Sequence, residues 1–105
     1  MNSSEIARTL AELGNETRLD IFRTLIKKGS EGMSIGDIRD ELSIAASTLA
    51  FHLKGLTQCG LITQEKVGRH TFCRANLECL TTVLRQLEEE CCSDLEVSDH
   101  ERDTT

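Results

Sequence analysis

The sequence has 105 residues, enough for one small domain, and 38% of them are hydrophobic. It contains no tryptophan, tyrosine or proline, so aliphatic side chains must supply most of the core, and a core this small often gains stability by dimerising. No apolar run is long enough to cross a bilayer, and the polar start MNSSE lacks the apolar stretch of a signal peptide. These features argue against a membrane protein and predict a cytoplasmic one.

The net charge of −6 is concentrated at the end of the chain. Residues from 88 onward contain eight Asp or Glu and one Arg, whereas residues 1–87 contain eleven Lys or Arg and ten Asp or Glu. We therefore predict a folded domain at residues 1–92 and an acidic, disordered tail at residues 93–105. The nearly neutral domain can still present a local basic face to nucleic acid.

Four helices are predicted before residue 60. Gly14 ends the first, Asn15 caps the second, Ser34 caps the third, and the fourth covers about 45–57. Apolar residues recur at helical spacing in each segment: Ile6, Leu10 and Leu13; Leu19, Phe22, Leu25 and Ile26; Ile35, Ile38 and Leu42; Leu49, Leu53 and Leu56.

The period then changes from that of a helix to that of a strand. In LITQEKVGRHTFCRA, side chains alternate and GR falls where a hairpin would turn, which predicts antiparallel strands at 61–67 and 70–75. A fifth helix is predicted at 77–92, with Leu80, Leu84, Leu87 and Cys91 at heptad-like spacing. The order α-α-α-α-β-β-α, mainly α with a small β-hairpin, predicts a winged helix-turn-helix.

The apolar stripe of the fifth helix has no later segment of its own chain to cover it. Its spacing therefore predicts contact with a second copy of the chain. The alternative is that Leu77, Leu80, Leu84 and Leu87 pack on their own domain.

The sequence resembles the arsenic-responsive ArsR/SmtB repressors in three stretches. These are LGNETRLDIFRTLI at 13–26, MSIGDIRDELSIAASTLAFHLKGLTQCGLI at 33–62 and GRHTFCRAN at 68–76. The resemblance implies a homodimeric repressor, not an enzyme, that binds double-stranded operator DNA and leaves it when a toxic metal or metalloid binds. It also implies a dimer interface formed by the first and last helices.

The start of a recognition helix carries short side chains that reach base edges in the major groove. The small residues Ala46 and Ala50 allow close approach or contact with thymine methyl groups. The predicted DNA contacts are Ser47, Thr48, Phe51, His52 and Lys54 on the helix, and Lys66, Arg69 and His70 on the wing, where phosphate or minor-groove contacts are expected. His52 has an alternative reading as a structural residue that bonds within its own helix.

Five cysteines, an odd number, argue against a closed set of disulfides. Trivalent arsenic and antimony are soft and prefer thiolates, and the adjacent Cys91 and Cys92 offer two sulfurs to one atom. Arsenite is best held by three sulfurs. If the fifth helices of a dimer are antiparallel, Cys73 of one subunit is expected to join Cys91 and Cys92 of the other, with Cys79 as the competing third ligand. Two sulfurs alone suit methylarsenite.

The predicted inducer is thus a trivalent arsenical (arsenite or methylarsenite) or antimonite, with no organic cofactor. The histidines form no ligand set on the fifth helix of the kind that zinc sensors use. A repressor of the same fold that senses thiol oxidation or reactive sulfur is the alternative. A thiol enzyme is disfavoured, because the sequence has no Cys-x-x-Cys in a βαβ context and no glycine-rich oxyanion cradle.

Overall fold

The computed structural model describes residues 1–95, with side chains placed as far as Cys91. In chain order the elements are α1 (Ser3–Leu13), α2 (Glu16–Lys28), a short 3-10 helix (Gly29–Glu31), β1 (Met33–Ser34), α3 (Ile35–Leu42), α4 (Ala46–Gln58), β2 (Ile62–Val67), β3 (His70–Ala75) and α5 (Leu77–Leu95). α5 therefore continues three residues past the predicted end at residue 92. The rest of the predicted tail lies outside the described residues. Within residues 1–95, no helix is long and apolar enough to cross a membrane.

Side-chain caps fix where three helices begin. The Asn2 side chain accepts a hydrogen bond from the Glu5 N–H, and the Glu5 carboxylate accepts one from the Asn2 N–H, each at 2.9 Å. The Asn15 side chain accepts from the Arg18 N–H at 3.0 Å, and the Ser34 hydroxyl accepts from the Asp37 N–H at 3.1 Å. The predicted caps Asn15 and Ser34 are confirmed.

The sheet has three antiparallel strands in the order β1-β3-β2, one more than the sequence predicted. β1 pairs Met33 with Cys73, so β3 is the central strand. The predicted hairpin turn is confirmed, because Val67 lies opposite His70 across a two-residue loop. Gly68 in that loop has φ +65°, a conformation that glycine adopts without a steric penalty.

One apolar core joins the helices to the sheet. Its buried members are Ile21, Phe22, Leu25, Met33, Ile38, Leu49, Leu53, Leu56, Leu61, Ile62 and Cys73. Residues 43–45 connect α3 to α4, and Ser43 takes the left-handed conformation (φ 52°) that ends α3. α3 and α4 form the helix-turn-helix and the β2–β3 hairpin forms the wing, so the predicted winged helix-turn-helix is confirmed.

Candidate functional site

Helix α4 has a buried face and an exposed face, as a recognition helix requires. Leu49, Leu53 and Leu56 are buried and fasten the helix to the core. The exposed face carries small, polar and basic residues together with one aromatic ring: Ala46, Ser47, Thr48, Ala50, Phe51 and Lys54. This composition suits close approach to base edges in a major groove. The predicted DNA contacts Ser47, Thr48, Phe51 and Lys54 are all exposed, as such contacts require.

Phe51 is the most unusual residue of this face. Its side chain is 68% exposed, although burying a phenylalanine normally stabilises a fold by about 1.5–3 kcal/mol. Its ring stands edge-on to the His52 ring, with centroids 5.4 Å apart and an interplanar angle of 67°. An exposed aromatic ring on this helix is well placed to contact a thymine methyl group.

The structure disagrees with the prediction that His52 contacts DNA. His52 is only 9% exposed and lies on the inner face of α4. Its Nδ1 is 3.4 Å from Nη1 of Arg18 in α2. A side chain turned into the protein cannot reach a base edge. The alternative of a structural histidine fits better, although its partner lies on another helix and not on its own.

The wing presents its basic residues at the tip of the hairpin. Lys66, Arg69 and His70 are all exposed, as a role in phosphate or minor-groove contact requires. Arg74, further along β3, is instead paired with Glu65 at 2.9 Å and donates to the Ser30 carbonyl at 2.9 Å. The tip of the wing thus carries exposed basic side chains, whereas Arg74, further along β3, is held in place by its contacts with Glu65 and Ser30.

The five cysteines occupy different environments. Cys91 is exposed on α5, whereas Cys92 has a described backbone position only. Cys59 and Cys79 are half-buried, and Cys73 is fully buried. Among cysteines with a described side chain, Cys91 is therefore the thiol most accessible to a reagent or ligand.

The position of Cys73 contradicts its predicted role as an arsenic ligand. Its sulfur lies in the core on the central strand and accepts a hydrogen bond from Gln64 Nε2 at 3.5 Å. Burial raises the pKa of this thiol, while the Gln64 hydrogen bond acts in the opposite direction. A buried, protonated thiol cannot join Cys91 and Cys92 of a partner unless the sheet opens.

The Cys79 side chain contacts the backbone of Cys59 where α4 ends and α5 begins, and the sequence did not predict this contact. The Cys79 thiol donates to the Cys59 carbonyl at 3.7 Å, and the Cys59 thiol donates to the Leu56 carbonyl at 3.6 Å. Burial raises the pKa of both thiols, and in Cys59 the nearby Glu12 and Cys79 add to the increase. Asn76 holds the junction closed, since its Nδ2 donates to the Gly60 carbonyl at 2.9 Å.

These thiols do not meet Cys91 within one chain. Cys79 precedes Cys91 by twelve residues on the same helix, a separation of about 18 Å at 1.5 Å per residue. In the part of the chain with described side chains, no three His, Cys, Asp or Glu residues are grouped so that they could hold a metal ion. Among the cysteines with described side chains, Cys79 and Cys91 of one chain are therefore too far apart to bind the same atom.

Helices α1 and α5 expose apolar side chains on a shared surface. On α5, Leu84 is 47% exposed and Leu87 is 38% exposed, and Leu10 of α1 is also exposed. Leu80 packs against the core, so the alternative of own-domain packing holds for part of the stripe only. The chain's N-terminus joins the two helices, because the Met1 amino group donates to the Gln86 side chain at 3.1 Å. Together, exposed leucines at heptad-like spacing favour a second helix as the partner.

Similarities to known proteins fall on this same architecture. A family model described as a helix-turn-helix domain matches residues 13–65. An uncharacterized HTH-type transcriptional regulator, YceK of Bacillus subtilis (strain 168), is 33% identical over 66 residues, which cover 63% of this chain. The match spans 65% of the length of that relative.

Solved structures agree with the family model. An ArsR-like transcriptional regulator from Rhodococcus sp. RHA1 is 30% identical, with a TM-score of 0.78 over 94% of this chain and 92% of that protein. HlyU from Vibrio cholerae N16961 is 25% identical, with a TM-score of 0.67 over 86% of this chain and 96% of that protein. Mb0332 from Mycobacterium bovis, described as a homodimeric winged helix-turn-helix DNA-binding domain, is 22% identical with a TM-score of 0.67, covering 89% of this chain and 83% of that one. At this lower identity the likeness to Mb0332 concerns the fold alone.

Proposed function

Because this chain belongs to the ArsR family of winged helix-turn-helix transcriptional regulators, we propose that it is a homodimeric repressor that a trivalent arsenical or antimonite releases from operator DNA. The DNA-binding part rests on the exposed face of α4 and the basic wing tip. The sensing part rests on one observation: Cys91 is an exposed thiol on the apolar stripe of α5, beside a second cysteine in sequence.

In the proposed DNA complex, α4 lies in the major groove. Ser47 and Thr48 are near its N-terminal end, where short hydroxyl side chains reach base edges. Lys54 and the wing residues Lys66 and Arg69 neutralise phosphates, which makes binding sensitive to salt. A repressor of this kind acts where the chromosome lies, so a cytoplasmic location is part of the proposal.

The dimer is proposed to form through α1 and α5. Two copies that bury the exposed Leu10, Leu84 and Leu87 against each other would remove apolar surface from water, which favours association. Antiparallel α5 helices would also place the start of one helix near the end of the other. This arrangement brings the half-buried Cys79 of one subunit toward Cys91 and Cys92 of its partner.

The proposed inducer site therefore consists of Cys91 and Cys92, with Cys79 of the other subunit as third ligand in place of the buried Cys73. Three thiolates suit arsenite or antimonite, and two suit methylarsenite, whose carbon occupies the third valence. Ligand binding at the subunit interface would change the relative placement of the two α4 helices. A coupling of about 1–3 kcal/mol would weaken operator affinity about 5–150-fold.

Fluorescence anisotropy tests this proposal with operator DNA selected from a random duplex library by the reduced protein. The preformed complex is titrated separately with arsenite and methylarsenite. We expect release of DNA in the wild type, loss of that response in Cys91→Ser and Cys92→Ser, and a normal response in the matched variant Cys73→Ser provided it folds. A complex indifferent to both arsenicals would contradict the sensing proposal and leave DNA binding intact.

A second proposal within the same fold is thiol redox or reactive-sulfur sensing, favoured by the contact of the Cys79 thiol with the Cys59 carbonyl at the α4–α5 junction. A peroxide would accept two electrons and two protons from the thiols, leaving a disulfide and reduced oxidant. DNA binding lost on oxidation and restored by dithiothreitol would support this second proposal. Retention of DNA binding after complete oxidation of both thiols would contradict it.

A further inference from the structure

A group of polar side chains lies under the recognition helix, on the side opposite the DNA-facing surface. Arg18 of α2 contacts two other helices at once. Its Nε donates to the Glu12 carbonyl at 2.8 Å and lies 3.1 Å from the Glu12 carboxylate, and its Nη1 is 3.4 Å from His52 Nδ1. Glu12 is in the last turn of α1 and His52 is in the middle of α4, so one guanidinium links three helices.

The chemistry of arginine fixes the direction of these contacts. A guanidinium in a protein is always charged and only donates, so His52 takes part in a hydrogen bond with Arg18 by accepting at Nδ1. The Glu12 oxygen Oε1 is shielded from solvent and has no directed hydrogen bond in the described residues, and the Arg18 guanidinium is the positive group 3.1 Å from it. Charged contacts of this kind depend on geometry more strongly than the apolar contacts around them.

Glycine at position 55 makes room for the Glu12 side chain beside α4. A Cβ added at Gly55 would lie 2.5 Å from Glu12 Oε1, closer than real atoms pack. The absence of a side chain at Gly55 therefore lets the Glu12 carboxylate rest against the backbone of α4, three residues after His52. Through these two contacts, side chains from α1 and α2 meet α4 on its inner face.

Rotation of α4 matters because Phe51 and His52 are neighbours that point in different directions. His52 is held from inside, whereas the Phe51 ring is exposed on the DNA-facing side and touches the His52 ring edge. A helix with side chains has a radius of about 5–6 Å, so a rotation of about 20° moves a surface group by roughly 2 Å. Such a shift is enough to lose a direct contact with a base.

We propose that Glu12, Arg18 and His52 form a positioning unit that fixes the orientation of the recognition helix and joins it to α1. The inference rests on the proposed function in taking α4 as the DNA-reading helix and α1 as part of the dimer surface. Under it, a displacement of α1 at the subunit interface turns or shifts α4 through Arg18. The unit touches no DNA and acts only through the placement of Phe51 and its neighbours.

The test compares His52→Leu with His52→Gln in the full chain. Leucine fills the space of the imidazole but accepts no hydrogen bond, whereas the glutamine side-chain oxygen can still accept from Arg18. We expect His52→Leu to weaken binding to the selected operator about tenfold or more, and His52→Gln to retain it within about threefold. Melting temperature and dimer mass, measured on the same samples, should stay close to those of the wild type. Asp20→Asn, an exposed change on α2, is the control that should bind as the wild type does.

A second pair of variants tests the close approach. Gly55→Ala should weaken operator binding because the new Cβ would push the Glu12 carboxylate from its place beside Arg18, whereas Gly36→Ala, whose Cβ meets nothing closer than 3.9 Å, should not. If folded His52→Leu and Gly55→Ala proteins both bind the operator as tightly as the wild type, the positioning role is wrong and the repressor proposal survives. If the wild type selects no DNA, the repressor proposal fails and this inference fails with it.

Discussion

The burial of Cys73 predicts a large difference in reactivity between thiols of the same folded chain. Iodoacetamide attacks the thiolate, so a cysteine must be both ionised and accessible. Cys91 is accessible in the native state. Cys73 is fully buried on the central strand, which is paired on both sides, so its sulfur becomes accessible only when the sheet opens.

The expected protection follows from the cost of opening. Exposing a core strand requires sub-global unfolding, and an opening free energy of about 4 kcal/mol slows the reaction about 1,000-fold relative to an open thiol. The raised pKa of Cys73 lowers its thiolate fraction at neutral pH and slows the reaction further.

Pulse alkylation at pH 7, followed by peptide mass spectrometry, measures both rates in one sample. We expect Cys91 to be modified within the first pulses, while Cys73 remains unmodified until urea unfolds the protein. Modification of Cys73 at the rate of Cys91 in the folded protein would refute the assignment of Cys73 to the core and restore it as a ligand.

Three further predictions follow from the geometry. Gly32→Ala should lower the free energy of unfolding by about 3 kcal/mol in urea titrations, because φ is +72° and the new Cβ would lie 2.8 Å from the Cys73 carbonyl oxygen. Gly29→Ala is the control: φ is +76° there too, but the space is open, so its free energy of unfolding should fall by less. Burial raises the pKa of the Cys73 thiol in the folded protein, so the stability that this thiol contributes is present below its unfolded pKa and is lost as pH rises toward its folded pKa. The wild type should therefore lose stability above about pH 9, and Cys73→Ala should lose less, as measured by urea titration at each pH. Leu84→Arg should dissociate the dimer in analytical ultracentrifugation, whereas Thr82→Arg on another face of α5 should not. An unchanged dimer in Leu84→Arg would contradict the α5 interface.

Periodicity and capping chemistry were sufficient to predict most of the fold. Asn15 and Ser34 cap the helices that the sequence assigns to them, and the glycine at 68 turns the wing as expected. These signals are local, because each depends on residues a few positions apart. The strand β1 escaped prediction because two residues carry no period.

The burial of Cys73, which opposes its predicted role, comes from a contact between distant parts of the chain. Pairing of Met33 with Cys73 makes β3 central, so the thiol predicted to bind an arsenical is enclosed in the core. His52 differs, because a local signal was available: its position completes the i, i+3, i+4, i+7 pattern with Leu49, Leu53 and Leu56, which marks the buried face. Its partner Arg18, 34 residues earlier, could not be inferred from spacing.

The central claim is that DNA binding and arsenical binding are coupled through one dimer, and linkage tests it most directly. Arsenical affinity is measured by isothermal titration calorimetry for the free reduced protein and for its operator complex. Reciprocity requires that DNA weaken arsenical binding by the same factor by which the arsenical weakens DNA binding, about 5–150-fold. We expect the operator complex to bind the arsenical more weakly than the free protein does, and we expect this difference to disappear in Cys91→Ser. Equal affinities with and without operator DNA would contradict the account.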